Sequence, residues 1–519
     1  MLTAFHMNTK APDNNTAVII GAGQYQEDIP ADLTGAQGPV HMAAQAARAA
    51  LLDTGHDGIA AHIDTVFCVR TFGDSGPLFS CPFETSKNMP AAVGRALGIT
   101  VKRNVYDVIG GNTPQGLIAE AAEEIEAGAS KAALICGGEA MANMKAAIRA
   151  GAALDWSDDV PKETLLEDRG AFAPNSPPLI GRSAMQHQLF APIKYYTLLE
   201  NARRAKARLP REAYRKSMAK IMAGLLETSQ GNPYSVFANT DADLNALTPA
   251  NPLFTDLYSK SILPKDGVNQ GAAVIMTSYG RAVELGLDPT RFIYLHAHVE
   301  GSEPPVLQRP ELDKSPVLQA CMNQALNAAE IDAKDIGPRD LYSCFPIVLK
   351  ESTAALGMNI HADDLTLTGG LAFFGGPGNN YSLHGITEMV GALQKTSDAY
   401  GLIHANGGYM SKHAVGIYSR LPADTPARIM RHMAEDGPLL ETVDAAQGAG
   451  VIETYCVDYR KGAAVSAIII GRLKDGGARF YAKPNKDENL ALLEWLVDSD
   501  PFGETVQIAT DGTQNYFSR

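Results

Sequence analysis

The chemistry this chain can do is set by what stands at two glycine turns. Gly110-Gly111-Asn112 and Gly375-Gly376-Pro377-Gly378-Asn379-Asn380 each precede a helix-patterned run, and neither turn carries a nucleophile. A helix start offers unpaired N–H groups and the positive end of the helix dipole, which favour a carbonyl or developing enolate oxygen. Asn112, Asn379 and Asn380 can add amide donors there, although Asn suits such turns anyway. Tyr342, in Tyr342-Ser343-Cys344-Phe345, carries a phenol that can donate to an oxyanion, or act as acid or base if its pKa falls; the alternative is a core aromatic in a strand. His384, just inside the second helix, is a candidate base. His404 and His413 flank the last glycine turn and are as readily structural. Cys344 reads as a small buried hydrophobe.

The elements that must position these groups occur twice. Gly110-Gly111-Asn112-Thr113-Pro114-Gln115, a helix to Gly128, then Ala133 to Met141 is matched by Gly375 to Asn380, a helix to Gln394, then Gly401 to Met410. Upstream, the alanine-rich helix Ala43 to Leu52 and the strand at Ile63 to Cys68 pair with a helix Val317 to Ala329 and a strand at Asp340 to Phe345. Ser315 and Pro316 mark the start of that helix. Each half therefore reads as strand, helix, strand, helix, strand. The offset is 265 residues at Gly110/Gly375 and 270 at Gly137/Gly407, so the second copy holds a five-residue insertion.

Residues from about 142 to 250 have no counterpart in the second half. This insertion carries Arg203, Arg204, Lys206, Arg208, Arg211, Arg215, Lys216 and Lys220 with only Glu212 opposing them. Such a patch is either a seat for a phosphate-bearing ligand or a solvated face of two helices. Val18-Ile19-Ile20-Gly21-Ala22-Gly23 is a buried strand entering a glycine turn, and Gln26 stands where a dinucleotide fingerprint needs its third glycine. Gly73-Asp74-Ser75-Gly76-Pro77 reads as a polar turn. Leu421 to Pro426 is linker-like. After it, Val451 to Tyr459, Ala464 to Leu473 and Ala478 to Ala482 are strand-like, a short helix follows around Leu490 to Leu496, and Glu504 to Thr510 and Gln514 to Phe517 add strands. That order suggests a small closed barrel of oligonucleotide-binding (OB) type.

Composition excludes some functions. The net charge of −14 argues against nucleic acid or an anionic membrane as partner, and residues 425–519 are themselves net −4. No run is apolar enough for membrane insertion, and Met1 to Asn15 is polar, without a signal-peptide core. Six cysteines with no C-x-x-C point to reduced thiols, no metal site and a cytoplasmic location.

The duplicated unit resembles the thiolase superfamily, closest to the sterol-carrier-protein-type thiolases and their thiolase-like relatives. The stretches that carry the likeness are Asn201-Ala202-Arg203-Arg204, Asn232-Pro233-Tyr234, Val268-Asn269-Gln270-Gly271-Ala272-Ala273, Tyr342-Ser343-Cys344-Phe345 and Gly369 to Gly378. It covers about residues 15–420, and the appended barrel is similar to that of type-1 thiolase-like proteins. The resemblance implies an α/β thiolase fold, two αβα halves in an αβαβα core plus the OB-like barrel. The expected divisions are 1–290, including the insertion, 291–421 and 425–519. It also implies a coenzyme A (CoA) thioester as ligand or substrate, a homodimer or homotetramer, and a place in lipid metabolism. No tightly bound cofactor is expected.

Thiolases attack the thioester with a cysteine at the first buried helix. They activate it with the histidine of a Gly-His-Pro turn, move the α-proton with a late cysteine, and build an oxyanion hole from motifs such as His-Asp-Cys-Phe. Here the nucleophile's place falls on Gly111 or Asn112, the histidine is Gly376, the late Cys-x-Gly is replaced within Ala405-Asn406-Gly407, and the last motif is Tyr342 to Phe345. The pocket expected from the resemblance is therefore Gly111, Asn112, Gly376, Asn379, Asn406 and Cys344, with Tyr342 and His384 as candidate catalytic groups and Arg203, Arg204, Lys206 and Arg208 toward CoA. By fold the chain sits with the acyltransferases, but conventional thiolysis is not expected. Three readings stand: a thioester binder without acyl-cysteine, a carbon–carbon lyase or aldolase using Tyr342, and a non-catalytic scaffold with a blocked cavity.

Overall fold

The structure is a computed structural model that describes residues 12–76, 80–161, 163–172, 179–422, 425–434 and 437–519. The N-terminal stretch up to Ala11, Pro77, the Pro174 to Pro178 part of a Pro/Gly cluster, and Ala423-Asp424 of the linker lie outside the described residues.

The first half contains β1 (Ala17–Gln26), α1 (Pro39–Asp53), β2 (Thr65–Cys68), β3 (Arg103–Tyr106), α2 (Thr113–Glu126) and β4 (Ala132–Ala140). The insertion then supplies β5 (Leu166–Asp168), α3 (Pro192–Ala207) and α4 (Arg211–Gly231) before β6 (Asn269–Ser278) closes the half. The second half runs β7 (Ile293–Ser302), α5 (Pro316–Ala329), β8 (Ile336–Leu341), α6 (Pro346–Ala355), α7 (Tyr381–Lys395), β9 (Tyr400–Gly407) and β10 (Lys412–Ser419).

Strand pairing shows the duplication directly. In the first half β2–β4 is parallel while β4–β6 and β6–β1 are antiparallel. In the second, β8–β9 is parallel while β9–β10 and β10–β7 are antiparallel. The two sheets meet where Val18 pairs with Tyr294 and Ile19 with Ile293. Helices α2 and α7 touch each other and strands of both halves, so they form the middle layer. Outside, α1 covers β1, β6 and β4, and α5 covers β7 and β10. This is the five-layered αβαβα arrangement of a thiolase fold.

Helix α2 can occupy a middle layer because it buries Leu117, Ile118, Ala119, Ala121, Ala122 and Ile125, leaving Glu120, Glu123, Glu124 and Glu126 on its less buried face. Gly21-Ala22-Gly23, expected as a turn, is the middle of β1, and its glycines serve packing: a Cβ at Gly23 would stand 2.3 Å from the Ala50 nitrogen and 2.4 Å from the Ala46 oxygen of α1. The insertion strand β5 pairs with β3 and covers that edge of the sheet. Arg70 binds Asp168, Arg103 binds Glu167 at 2.7 Å, and Arg169 binds Glu120 at 2.6 Å, clamping β5 in place.

After the linker, β11 (Arg428–Ala434) pairs in parallel with β7, so residues grouped with the barrel by sequence extend the thiolase sheet instead. The barrel proper is β12 (Gly448–Arg460), β13 (Ala463–Leu473), β14 (Arg479–Pro484), α8 (Asn489–Ser499), β15 (Thr505–Thr510) and β16 (Asn515–Ser518). It closes in the order β12-β13-β14-β16-β15, with α8 between the third and fourth strands, which is OB topology.

The barrel is docked on the insertion. Cys456, Ile468, Ile470 and Tyr481 join one core with Leu198 and Leu199 of α3 and Met222 and Leu225 of α4. Arg204, 2% exposed, binds Asp500 at 2.7 Å, Tyr455 at 3.0 Å and Asn201 at 2.8 Å, and Arg211 also reaches Asp500 and Tyr455, each at 2.7 Å. Arg203 pairs with Glu351, and Lys206 with Glu311 and Asp313. Arg203, Arg204 and Lys206, expected as a phosphate seat, thus have carboxylate partners within the same chain. Arg208 is an exposed left-handed C-cap of α3.

Arg204→Ala leaves Asp500 with one arginine fewer and empties a buried guanidinium site. Asp500 is about a third exposed, so the cost should be about 2 kcal/mol rather than that of a fully buried pair. Thermal unfolding and limited proteolysis should show the barrel loosening first; an unchanged melting curve and digestion pattern would refute this account of docking.

Candidate functional site

Helices α2 and α7 begin beside each other, and the two glycine turns are tied together. The Gly110 N–H donates to Asn379 Oδ1 at 3.1 Å, Asn379 Nδ2 donates to the Arg70 carbonyl at 2.9 Å and to Ser75 Oγ at 3.1 Å, and Ser382 Oγ donates to the Gly111 carbonyl at 2.7 Å. Asn379 is thus spent as a clip between the halves, and its amide donors face no ligand. Neither Asn112 nor Asn380 caps its helix with its side chain.

Tyr342 stands in front of these helix starts. Its backbone N–H donates to the His404 carbonyl at 3.1 Å, and its ring meets Tyr381 edge-on at 5.3 Å. A Cβ at Gly111 would lie 2.3 Å from Tyr342 Oη and 2.5 Å from the Asn406 carbonyl oxygen. The phenol therefore occupies the room that a side chain at position 111 would need. Among the described residues Tyr342 Oη has no hydrogen-bond partner, although the residue is only 6% exposed. Burial pushes its pKa well above the ordinary phenol value, with Cys344 and Tyr381 adding to the effect, so the group holds its proton. Asn112 offers no alternative place for a nucleophile. Its Oδ1 lies 2.4 Å from where a Gly110 Cβ would be and 2.3 Å from where a Gly407 Cβ would be, folded over the glycines, buried and without a partner.

Cys344, 9% exposed, donates from its thiol to Tyr196 Oη at 3.4 Å and accepts from Asn406 Nδ2 at 3.5 Å. Burial pushes the thiol up to about 12, which removes it as a thiolate nucleophile near neutrality. Asn406 Nδ2 also donates to Tyr196 Oη at 3.0 Å, while Asn406 Oδ1 is buried without a partner. Tyr196 collects a further donor, the Met410 N–H at 3.0 Å. Tyr196 is a member of this cluster that sequence reasoning missed, since it lies in an insertion helix.

His384 is not brought to Tyr342. Its Nδ1 lies 2.6 Å from Gln24 Oε1, and the Gln24 amide donates to Glu388 at 2.7 Å, which places the histidine proton on Nδ1. Nε2 is buried without a partner, and burial lowers the pKa to about 3. Phe374 packs edge-on to both His384 and Tyr381. His404 and His413 form a buried pair, 3.3 Å apart, closed by Ser352 and Ser315 at 2.9 and 3.1 Å. Gly376, at the histidine's place, is looser than Gly111: a Cβ there would meet nothing nearer than 3.3 Å.

Two further titratable groups lie near the second glycine turn and were not singled out in the sequence. The Lys265 carbonyl accepts from the Gly376 N–H at 2.8 Å, and burial lowers the Lys265 ammonium to about 8. Glu139, of the first-copy Gly137-Gly138 turn, accepts from the Phe72 N–H at 2.6 Å, stands against Gly378, and is pushed up to about 8 by burial. Burial supplies both shifts, and burial is not written in a local motif. Three cavities stand out among the described residues, and none is lined by Tyr342, Cys344, Gly111 or His384. Nor do the described residues contain a cluster able to hold a metal ion, or a helix long and apolar enough to cross a membrane.

If Gly111 and Tyr342 share one space, Gly111→Ala should destabilise by about 1–3 kcal/mol through overpacking. The same change in a Tyr342→Ala background should cost at least about 1 kcal/mol less, the Asn406 carbonyl keeping the remainder. Additive losses in denaturant unfolding would separate the two residues.

Comparison with known proteins agrees with this architecture. The family profile described as "Thiolase-like protein type 1 additional C-terminal domain" matches residues 430–513. No curated protein sequence matches the chain. A solved structure of a monomeric SCP2-thiolase like protein type 1 from Mycobacterium smegmatis is 33% identical, covers 98% of this chain and 99% of its own, and superposes with a TM-score of 0.80. Human mitochondrial 3-ketoacyl-CoA thiolase is 14% identical over 78% of this chain and 99% of its own, with a TM-score of 0.54. A structure described as an Ltp2-ChsH2(DUF35) aldolase is 15% identical over 78% of this chain and 97% of its own, with a TM-score of 0.53. These last two share the fold. With its whole length matched at that identity and its barrel matched by profile, the chain belongs to the SCP2-thiolase-like protein type 1 family.

Proposed function

We propose that this protein binds a CoA thioester, or a related thioester, without forming an acyl-cysteine, and so does not act as a conventional acetyl-CoA acetyltransferase. The observation that carries the reading is the Tyr342 phenol in the room a nucleophile at position 111 would need. The retained thiolase architecture supports a thioester ligand. So does the fold shared with human mitochondrial 3-ketoacyl-CoA thiolase, for which a complex with CoA is known. Isothermal calorimetry with CoA and a panel of acyl-CoAs on the full chain tests it. Saturable binding with no thiolysis is expected. Silence across the panel would leave the non-catalytic scaffold, for which the packed rings of Tyr342, Tyr381 and Phe374 speak.

A second reading, carbon–carbon cleavage on a thioester, is favoured by the unpartnered Tyr342 hydroxyl at the two helix starts and by the barrel fused to the thiolase fold. A phenol whose pKa is raised serves as proton donor to a developing enolate rather than as base. Tyr342→Phe should then abolish lyase turnover and leave CoA affinity within about twofold; turnover equal to that of the unmodified protein rejects the role.

We further infer that the chain is a monomer and not the dimer or tetramer expected from thiolases. Strand β5 covers the β3 edge, and the Mycobacterium smegmatis relative is described as monomeric. Light scattering at micromolar concentration should return the mass of one chain; twice that mass overturns the inference.

A further inference from the structure

Where the barrel meets the insertion there is a cavity of about 380 Å³, lined by Lys194, Lys483 and Lys486 among others. The three ammonium groups come from different elements: Lys194 from the first turn of α3, Lys483 from β14, and Lys486 from the turn before α8. Their mutual approach is visible in Lys483, whose pKa is lowered by burial and then by Lys194 and Lys486. The chain neutralises them in part: Asp511 acts electrostatically on Lys486, and Asp487 and Glu488 stand in the same turn. Lys194 pairs with Asp458 at 2.6 Å. Lys483 reaches only the neutral Gln188 amide oxygen at 3.3 Å, and Lys486 lies 5.2 Å over the ring of Tyr516, whose hydroxyl donates to Asp511. Helix α3 turns its start to the same wall at Lys194, with no side-chain cap and no acidic residue in its first turn, whereas α8 runs on from a turn that carries Asp487 and Glu488 and is capped by the Asn485 side chain. Unpaired N–H groups and a positive dipole end add to the lysines there.

We propose that this cavity is a binding site for a phosphate-bearing small molecule, held by Lys483 and Lys486 with Lys194 behind them. The site differs from the Arg203–Arg204 patch, whose charges are used inside the chain. It is also in contact with the turn beside Tyr342. Tyr195 Oη donates to the carbonyl of Leu189, a wall residue, at 3.1 Å, and the Tyr195 ring stacks on Tyr409 at 3.8 Å, within the Gly407 to Met410 turn. Tyr195 thus links the cavity wall to the turn that follows Asn406.

The test uses calorimetry on the full chain with inorganic pyrophosphate, ADP and CoA. The unmodified protein should bind pyrophosphate or ADP saturably, with affinity falling as salt rises. A Lys483→Gln/Lys486→Gln double variant should lose at least tenfold with an unchanged melting temperature, and a Lys474→Gln control, exposed and outside the cavity wall, should lose nothing. Absence of binding of both pyrophosphate and ADP overturns the proposal, as does equal binding by the double variant. The thioester reading is judged separately. CoA binding that the double variant retains while pyrophosphate is lost leaves both readings standing at separate sites, whereas pyrophosphate binding with no response to CoA or acyl-CoA keeps the phosphate site and overturns the thioester reading. If the double variant fails to fold, Lys486→Gln alone, at the exposed rim, should still weaken pyrophosphate; no effect then overturns the proposal.

Discussion

The close approach of the two glycine turns is the constraint on which the rest of this structure depends. Two helices can share the middle layer only if their starts come together without side chains between them. Gly111 meets Tyr342 and the Asn406 carbonyl, and Asn379 reaches across from the other copy to the Gly110 N–H. Each contact joins one half to the other, so the pseudo-twofold interface and the candidate site are the same place. Once the phenol stands there, an acyl group has no cysteine to join, and Cys344 is both buried and held as a thiol.

The remaining chemistry is of a different type. Tyr342 is a proton donor without an internal partner, His384, His404 and His413 are held neutral by burial, and Lys265 and Glu139 are shifted toward neutrality beside the second glycine turn. Around this centre the insertion has turned outward. Its arginines bind the barrel and its strand β5 closes the sheet edge, so an element that is basic in sequence works as internal scaffolding. Where the barrel and insertion meet, Lys483 and Lys486 have no ion pair and Lys194 pairs with Asp458.

The two-fold architecture was legible because glycine turns, buried helices and short apolar strands recur in one order, and each recurrence constrains the other. The barrel was legible because Lys461-Gly462 and Asp475-Gly476-Gly477 punctuate its strands. Partners distant in sequence were not legible. Arg204 looked free until Asp500 closed on it, and His384 looked like a base until burial lowered its pKa and its Nδ1–H was given to Gln24 Oε1, away from Tyr342. Arg428–Ala434 was not singled out as a strand, and nothing local says that it pairs with β7 rather than with the barrel. For Tyr342, the sequence marks the substitution and only three-dimensional packing shows that its hydroxyl fills the space of the absent nucleophile.

Intact-mass spectrometry after incubation with acetyl-CoA and a longer acyl-CoA, quenched in acid, tests the central claim most directly. The account predicts the unmodified mass at every time point. A mass increase of one acyl group, released by hydroxylamine and mapped to Cys344 or any other cysteine, would contradict it.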